Sequence, residues 1–332
     1  MKQKHIAIII LNWQTWKATL ACLQSLTQLK TTAVVSVIVC DNGSENQSFV
    51  YIADWLVQHF TENQFKIHSQ PVLEQEDQYQ CVLIQTGHNL GFAGGMNVGV
   101  RYALAQQRFD YIWLLNNDTQ VEMEALDALH HYAAQQQQLG LIGSTVLEAA
   151  QPNIVQCAGG CRYYPWVTVF KNVYAGYTRQ QLKQLPTPKL DYIYGASLFI
   201  PVSVIEKVGL LNETYFLFYE ELDYCQRLKK AGYHIGWCRD SIIYHQGSAS
   251  IGPVKQNIRT KLQKANYYEN LSTLKYTANF YPWRLPIVMG LRFGLKALAL
   301  LLRRDFDLFP PLFAAYKTFV RLQIKRKWWS LW

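Results

Sequence analysis

The sequence predicts an α/β protein, a mostly parallel sheet flanked by helices and followed by a basic helical C-terminal extension. Three observations carry that expectation. Short apolar, β-branched runs alternate with helical patterns through the first half, as strands covered on both faces do. Each early run stops on a polar cluster, where ligands bind in open α/β sheets. Charge is segregated along the chain: residues 253–332 hold 15 Lys and Arg against three Asp and Glu, although the net charge of all 332 residues is only +9.

The run His5–Leu11 reads as the first strand. It is too short for a signal-peptide core, and Asn12 and Trp13 end it, so the chain is expected to stay in the cytosol. Thr15–Leu29 has helical spacing, and Val34–Cys40 is a second strand. Cys81–Gln85, Tyr111–Leu115 and Leu141–Leu147 continue the series, with helices near 91–107 and 122–138. The polar stretch Thr61–Gln80 reads as a long surface loop. From about residue 150 the pattern becomes irregular. Tyr192–Ile200 then reads as a strand, and Pro201–Val208 as a short helix with Pro at its first position and Gly209 after its end. Glu220–Ala231 is a further helix, and His234–Trp237 and Ile242–His245 are short strands. The expected division is a catalytic domain over 1–252 and an amphipathic region over 253–332.

Half of the residues are apolar, enough for a large core. Seven cysteines, an odd number in so long a chain, do not form a disulfide framework. Leu285–Leu302 approaches a membrane span in composition, but Arg292 and Lys296 interrupt it on one helical face. That favours a helix lying in the interface. Lys317, Arg321 and Lys325 repeat the four-residue step beside Leu312, Phe313, Phe319, Trp328, Trp329 and Trp332, which suits an anionic leaflet. A tail packed on its own domain or in a dimer is the alternative. No recognition motif accompanies the charge, so nucleic acid is not expected as a partner.

The polar strand ends supply the candidate site. Asn12 follows the first strand, and Asp41-Asn42-Gly43-Ser44 the second, where a carboxylate can accept hydrogen bonds from a nucleoside or simply close a turn. The glycine-rich segment Asn89–Gly99 leads into a helix and lets backbone approach a ligand. Asn116 and Asp118 end the strand Tyr111–Leu115, where a carboxylate can hold a divalent ion or cap a helix. Glu220, Glu221 and Asp223 open a helix behind the aromatic run Tyr215–Tyr219, an apolar setting that raises a carboxylate pKa and suits a general base. The helix dipole explains acidic residues there equally well. His245, ending a short strand, can serve as a neutral imidazole ligand.

Taken in order, Ile10–Trp13, Val39–Ser44, Asn89–Asn97 and Leu114–Asp118 resemble the family-two glycosyltransferases with the GT-A fold. Tyr194–Ser197, Tyr219–Asp223, Ile243–His245 and Gly247-Ser248 continue the match, which covers roughly residues 5–250. The branch most resembled contains bacterial rhamnosyltransferases and galactofuranosyltransferases of polysaccharide assembly. The resemblance implies that Asn12, Asp41 and Asn89 hold the nucleoside side of a donor. Asn42, Gly91, Gly95, Asn97 and Asn117 complete the donor site, and Gly195 and Ala196 shape the sugar pocket. It also implies a divalent metal, Mg2+ or Mn2+, on Asp118 and His245, with Asn116 standing where the family usually has a carboxylate. Glu221 occupies the place of the usual catalytic Asp, with Glu220 and Asp223 as rivals. The implied activity is inverting transfer from a nucleoside-diphosphate sugar, dTDP-rhamnose first and a UDP-hexose or UDP-galactofuranose second. The acceptor would be a saccharide or polyprenyl-diphosphate-linked saccharide at the inner face of the cell membrane. The amide at Asn116 keeps a non-catalytic nucleotide-sugar binder as the alternative.

Overall fold

Strand alternation sets the architecture. Along the first strand Ile6, Ile8 and Ile10 pack on one side of the sheet and Ala7 and Ile9 on the other, and all five are buried. The computed structural model describes residues 3–247 and 258–329, with side chains to 324 in the last helix. The elements begin β1 (His5–Asn12), α1 (Trp16–Leu26), β2 (Val34–Asp41), α2 (Ser48–His59), β3 (Phe65–His68), β4 (Cys81–Gln85) and α3 (Gly91–Ala105). They continue β5 (Tyr111–Asn116), β6 (Thr119–Val121), α4 (Ala125–Ala134), β7 (Leu139–Glu148), β8 (Gln151–Ala158), β9 (Gly160–Tyr164) and β10 (Val169–Asn172). Next come α5 (Arg179–Leu182), β11 (Tyr192–Ile193), β12 (Ser197–Pro201), α6 (Val202–Val208), α7 (Glu220–Lys230) and β13 (His234–His245). Three helices close the chain: α8 (Ile258–Phe280), α9 (Leu285–Arg303) and α10 (Phe309–Trp329).

The main sheet runs β3-β4-β2-β1-β5-β12-β7-β13-β6, with β8 paired to β7, and a small sheet runs β10-β9-β11. Strands β1 to β5 pair in parallel, and β12 inserts antiparallel between β5 and β7. Register positions the site. Asn12 stands opposite Asp41, Asp41 opposite Gln85, and Leu11 opposite Asn116, so the polar ends of four strands form one row.

Several sequence expectations change. The presumed loop Thr61–Gln80 contains β3, a four-residue edge strand whose pattern is too short to register. Helix α2 was not anticipated. Tyr192–Ile200 is two strands in different sheets, because the chain turns at Tyr194–Ala196. The two short strands at 234–245 are one strand, with an irregularity between Cys238 and Ile242. The helix expected from 122 starts at Ala125, because 119–121 pairs with β13 instead. Pro201 caps α6 and does not open it. The irregular region after 150 is largely antiparallel ribbon. The expected division at 252, Ser248 of the last matched motif and Trp332 lie outside the described residues, as do the side chains of Lys325, Trp328 and Trp329.

Helix α8 packs on the sheet domain. Ser272 Oγ donates to the Leu217 carbonyl at 2.9 Å, Thr273 Oγ1 to Tyr219 Oη at 2.8 Å, and the Phe216 and Tyr268 rings stack at 4.6 Å. In α9, Arg292 is buried and turned inward. Its Nε donates to Asn270 Oδ1 at 2.8 Å, Nη1 to Thr168 Oγ1 at 2.6 Å and Nη2 to Glu269 at 2.9 Å, while Lys296 pairs with the same carboxylate at 3.1 Å. A buried guanidinium is stable only with such partners. The two charges expected to hold the helix in the interface therefore face the protein. An adjoining face, through Ile287, Leu291, Leu295, Leu298 and Leu302 and continued by Trp283 just before the helix, is exposed and apolar. By length and composition alone, Pro282–Arg303 is long and apolar enough to cross a membrane, with a mean hydropathy of 1.8.

Candidate active site

Two adjoining cavities form one crevice beyond the ends of β1, β2 and β5, with Phe92, Asn116 and Leu217 in both linings. The first holds about 140 Å³ and includes Trp13, Thr15, Asn42, Asn89, Gly91 and Asn117, with Lys264 and Tyr268 from α8. The second holds about 300 Å³ and includes Tyr194, Gly195, Ala196, Glu220, Glu221 and His245.

In the first cavity, Asn42 Nδ2 donates to Asn89 Oδ1 at 3.1 Å and to the Gly91 carbonyl at 3.0 Å, while its Oδ1 accepts from Leu90 N at 3.0 Å. This cross-links the end of β2 to the glycine-rich turn. Gly91 has φ +74°, and a side chain there would collide with the Phe216 carbonyl, so glycine is required on both counts. Asn117 Nδ2 donates to Thr15 Oγ1 at 2.7 Å and Thr19 Oγ1 at 2.8 Å, anchoring the wall to α1.

Four expected donor residues stand behind this wall. Asp41 is 0% exposed. Its carboxylate accepts from Asn12 Nδ2 and Ser44 Oγ, each at 2.6 Å, and from Gln85 Nε2 at 2.8 Å. Asn12 is equally buried, its Oδ1 accepting from Thr19 Oγ1 at 2.8 Å. With these partners internal, the pair braces the strand ends and lines neither cavity. Gly95 is a packing residue, since a Cβ there would strike Leu11. Asn97 donates to the Leu211 carbonyl and Glu213 Oε1, both at 2.8 Å, and accepts from Leu211 N at 3.1 Å. It fastens α3 to the loop before α7.

Between the cavities, His245 Nε2 lies 3.1 Å from Asp118 Oδ1 and 3.4 Å from Asn116 Nδ2, and its Nδ1 lies 2.7 Å from Gln156 Oε1. An amide oxygen only accepts, so Nδ1 carries a proton. Nε2 then faces Asn116 Nδ2 and the Asp118 carboxylate. Asn116 Oδ1 is buried with no hydrogen-bond partner among the described residues. A carboxylate, an imidazole and a neutral oxygen fit a divalent cation, with Gln156 orienting the imidazole. No group of three or more His, Cys, Asp or Glu suited to a metal occurs among the described residues. Asp118 and His245 are a pair here, and Asn116 Oδ1 is the neighbouring neutral oxygen.

Opposite stand the carboxylates of α7. The chain enters this helix through Phe218 and Tyr219, consecutive non-glycine residues with φ +67° and +76°. Such strain collects at functional sites. Tyr219 is fixed by Thr273, and the turn aims Glu220 and Glu221 into the crevice. Burial raises Glu221 from 4.5 to about 7, although its own backbone N–H opposes the rise. Glu220 is held well above its ordinary value, first by burial and then by the charge of Glu221. Two neighbouring carboxylates that are both pushed upward favour holding a proton between them. Asp223 is different: it accepts from Arg227 Nε at 2.7 Å and Asn212 Nδ2 at 3.2 Å, lies outside both linings, and serves as a brace. Gly195 leaves room for Glu221, whose Oε1 occupies the space that any Cβ there would fill. Ala196 accepts Asn116 N at 3.1 Å through its carbonyl, joining the two halves of the site. The Tyr194 phenol is pushed up by burial first, and by Cys157, Cys161, Glu221 and Asp118 after that. That places both acidic centres within electrostatic reach of one ring.

This geometry agrees with what the chain resembles. Residues 3–265 match the family described as "Glycosyltransferase like family 2". The chain belongs to that family. Among relatives, the low-salt glycan biosynthesis hexosyltransferase Agl10 of Haloferax volcanii is 29% identical over 164 residues, 47% of this chain and 48% of that protein. The N-acetylglucosaminyl-diphospho-decaprenol L-rhamnosyltransferase of Mycobacterium tuberculosis is 23% identical over 194 residues, 51% of this chain and 60% of that one. The match thus spans about half the length of the first relative. The fold is of the GT-A type. The mannosyltransferase PcManGT of Pyrobaculum calidifontis, solved with GDP-Man and Mn2+, has a TM-score of 0.55 at 11% identity, over 96% of this chain and 88% of that one. GalNAc-T7 with UDP, GalNAc and Mn2+ has a TM-score of 0.57 at 10% identity, over 84% and 51%.

Sequence reasoning missed Lys264, Tyr268 and Gln156, while Phe216, from the aromatic run it did name, also lines the first cavity. Lys264 and Tyr268 sat in a tail read for its charge alone. Gln156 lay in a stretch without periodicity.

Proposed function

We propose that this protein is an inverting glycosyltransferase. It moves a sugar from a nucleoside-diphosphate donor to a lipid-linked saccharide, at the cytoplasmic face of a membrane. One observation carries the reading: a single crevice has Asn116 and His245 on one wall, with buried Asp118 3.1 Å behind the imidazole, and Glu221 on the other. Asn42, Asn89 and Asn117 line the nucleoside half, with Lys264 supplying a cation for the diphosphate. Asp118, His245 and Asn116 would hold a divalent metal, Mg2+ or Mn2+, which would supply charge neutralisation for the departing diphosphate. Glu221 takes the proton from the acceptor hydroxyl as that oxygen attacks the anomeric carbon from the side opposite the leaving group. Glu220, its carboxyl raised by burial and by Glu221, disfavours a second negative charge in that place.

The rhamnosyltransferase relative supports dTDP-rhamnose as first donor and a diphosphate-lipid acceptor. A UDP-hexose or UDP-galactofuranose is second. The apolar face of α9 supports docking on an anionic bilayer, with Lys317 and Arg321 exposed on α10. Because Arg292 ties the middle of α9 to Thr168 of the sheet domain, the helix lies along the membrane and does not cross it. A second reading, a nucleotide-sugar binder without catalysis, draws on the amide at Asn116.

Thermal-shift screening against nucleoside-diphosphate sugars, with and without Mg2+ or Mn2+, tests the proposal. Stabilisation by a dTDP- or UDP-sugar, increased by metal and lost in Asp118→Ala, is expected. No response to any nucleotide sugar would refute it. Binding without transfer or hydrolysis would favour the second reading.

A further inference from the structure

A third cavity, of about 310 Å³, lies between the β9–β10 hairpin and α9, at the lower end of the range of small-molecule pockets, roughly 300–1,000 Å³. Its lining divides by chemistry. Val167, Val169 and Leu295 form an apolar mouth, and all three are exposed. Arg292, Lys296 and Glu269 form a charged floor. Burial alone would raise Glu269, but Arg292 and Lys296 outweigh it and hold the carboxyl below its ordinary value. The floor therefore carries two cations against one anion. Arg292 is committed to Asn270, Thr168 and Glu269, whereas Lys296 is one-third exposed and bonded only to Glu269 among the described residues, at 3.3 and 3.1 Å.

The cavity connects two surfaces. Inward, Phe170 lines both this cavity and the one holding Glu221, and its ring meets Tyr192 and Tyr219 of the catalytic wall at 5.5 and 5.1 Å. Outward, Leu295 belongs to the exposed stripe of α9. The hairpin tip joins that stripe where Trp166 meets Trp283, ring centroids 5.2 Å apart. An apolar surface thus adjoins a cationic chamber, and Phe170 is the wall that this chamber shares with the cavity of Glu221.

We propose that this cavity is the entry port for the acceptor, and that it takes an isoprenoid diphosphate: the chain along Val167, Val169 and Leu295, the diphosphate beside Lys296, and the attached sugar past Phe170 toward Glu221. The assignment rests on the reading of a lipid-linked acceptor and goes beyond it by placing the acceptor's anchor. Lys296 exchanges Glu269 for a phosphate oxygen. Arg292 stays in place and keeps the hairpin and helix apart at the right spacing. Headgroup and chain meet separate partners, the charged floor and the apolar mouth.

Farnesyl diphosphate is the probe, titrated calorimetrically into the full-length protein in EDTA, which removes metal-dependent binding in the donor half. Farnesol and inorganic pyrophosphate are the controls. Farnesyl diphosphate should bind, with each control weaker. Lys296→Gln and Val169→Asn should each weaken it about tenfold, the scale of one charge-assisted hydrogen bond or a comparable apolar contact. Both positions are partly or fully exposed, so the fold is retained, and the thermal shift caused by nucleotide sugar should be unchanged. Equal binding by wild type and variants, or a control that matches farnesyl diphosphate, overturns the port. A protein that responds to nucleotide sugar but not to farnesyl diphosphate overturns the port and leaves glycosyl transfer standing. One that responds to neither overturns both.

Discussion

Replacing Glu221 with Gln should do two opposite things, and the raised pKa fixes both signs. In the folded protein Glu221 binds its proton at about 7, against 4.5 for an unburied carboxyl. Below pH 4.5 both states are protonated and burial of the group costs little. Between 4.5 and about 7 the folded state holds the proton more tightly, so stability falls as pH rises. Above 7 the full penalty applies. At about 1.4 kcal/mol for each tenfold in proton affinity, the gap corresponds to at most ~3 kcal/mol. Partial opening to the crevice and coupling to Glu220 reduce this to about 2 kcal/mol. Glu221→Gln removes the ionisation and should stabilise the ligand-free protein by about that amount at pH 8 and hardly at all at pH 4.5. Turnover should fall by roughly two to four orders of magnitude, the usual contribution of a general base. In the wild type, activity should rise through pH 7 to a plateau. Thermal unfolding at both pH values, paired with initial rates, reads all of this. A variant less stable than wild type at pH 8, or stabilised equally at both, would mean that Glu221 is not a strained carboxylate. Full activity would place the base elsewhere.

Gly195→Ala puts a methyl group where Glu221 Oε1 lies, so turnover should drop about a hundredfold with donor binding kept, since small displacements of a reacting group cost on that scale; rates and donor titrations separate the two effects. Asp223→Asn loosens Arg227 and the loop at 212 and should cost about 1–3 kcal/mol of stability by denaturant unfolding, with turnover per folded molecule unchanged. If turnover collapses instead, the brace is a catalytic group. Ile287→Asp with Leu291→Asp places two charges on an exposed face, so melting should hardly move. Sedimentation with anionic vesicles should be lost, and undiminished sedimentation would sink the docking reading.

The fold was legible wherever an apolar run was long enough to bury a whole strand. β1, β2, β4 and β5 are such runs, and their polar stops sit in one row because parallel pairing aligns them. β3 has four residues, two of them only half-buried, and no period emerges from so few. Tyr192–Ile200 is continuous in hydropathy, yet it crosses from one sheet to another at Gly195, the residue that must be small to admit Glu221. The reason for that break lies on a helix 25 residues later, beyond any local pattern. Asp41 shows the same limit. Its place at a strand end invites a ligand, but Asn12, Ser44 and Gln85 converge on it from three segments and exhaust its acceptors. Spacing identifies which residues reach the crevice end of the sheet. It does not decide which face the cavity and which face each other.

The tail is the sharpest case of this distinction. Two cations four residues apart on an apolar helix are compatible with a water-facing stripe or with a buried clasp, and nothing within α9 chooses between them. The choice is made by Glu269, Asn270 and Thr168, which lie on α8 and on the hairpin. Once the cations turn inward, the outward face is more apolar than the composition suggested, and the case for lipid contact grows stronger while its residues change. The same clasp argues against a span. To cross a bilayer, α9 would have to carry Thr168 and the hairpin into the hydrocarbon, along with every unpaired backbone group at its tip, or else break a buried guanidinium from all its partners. Either course is costly by several kcal/mol. Lying flat, as proposed above, requires neither, and would set the mouth of the third cavity at the level of the lipid surface.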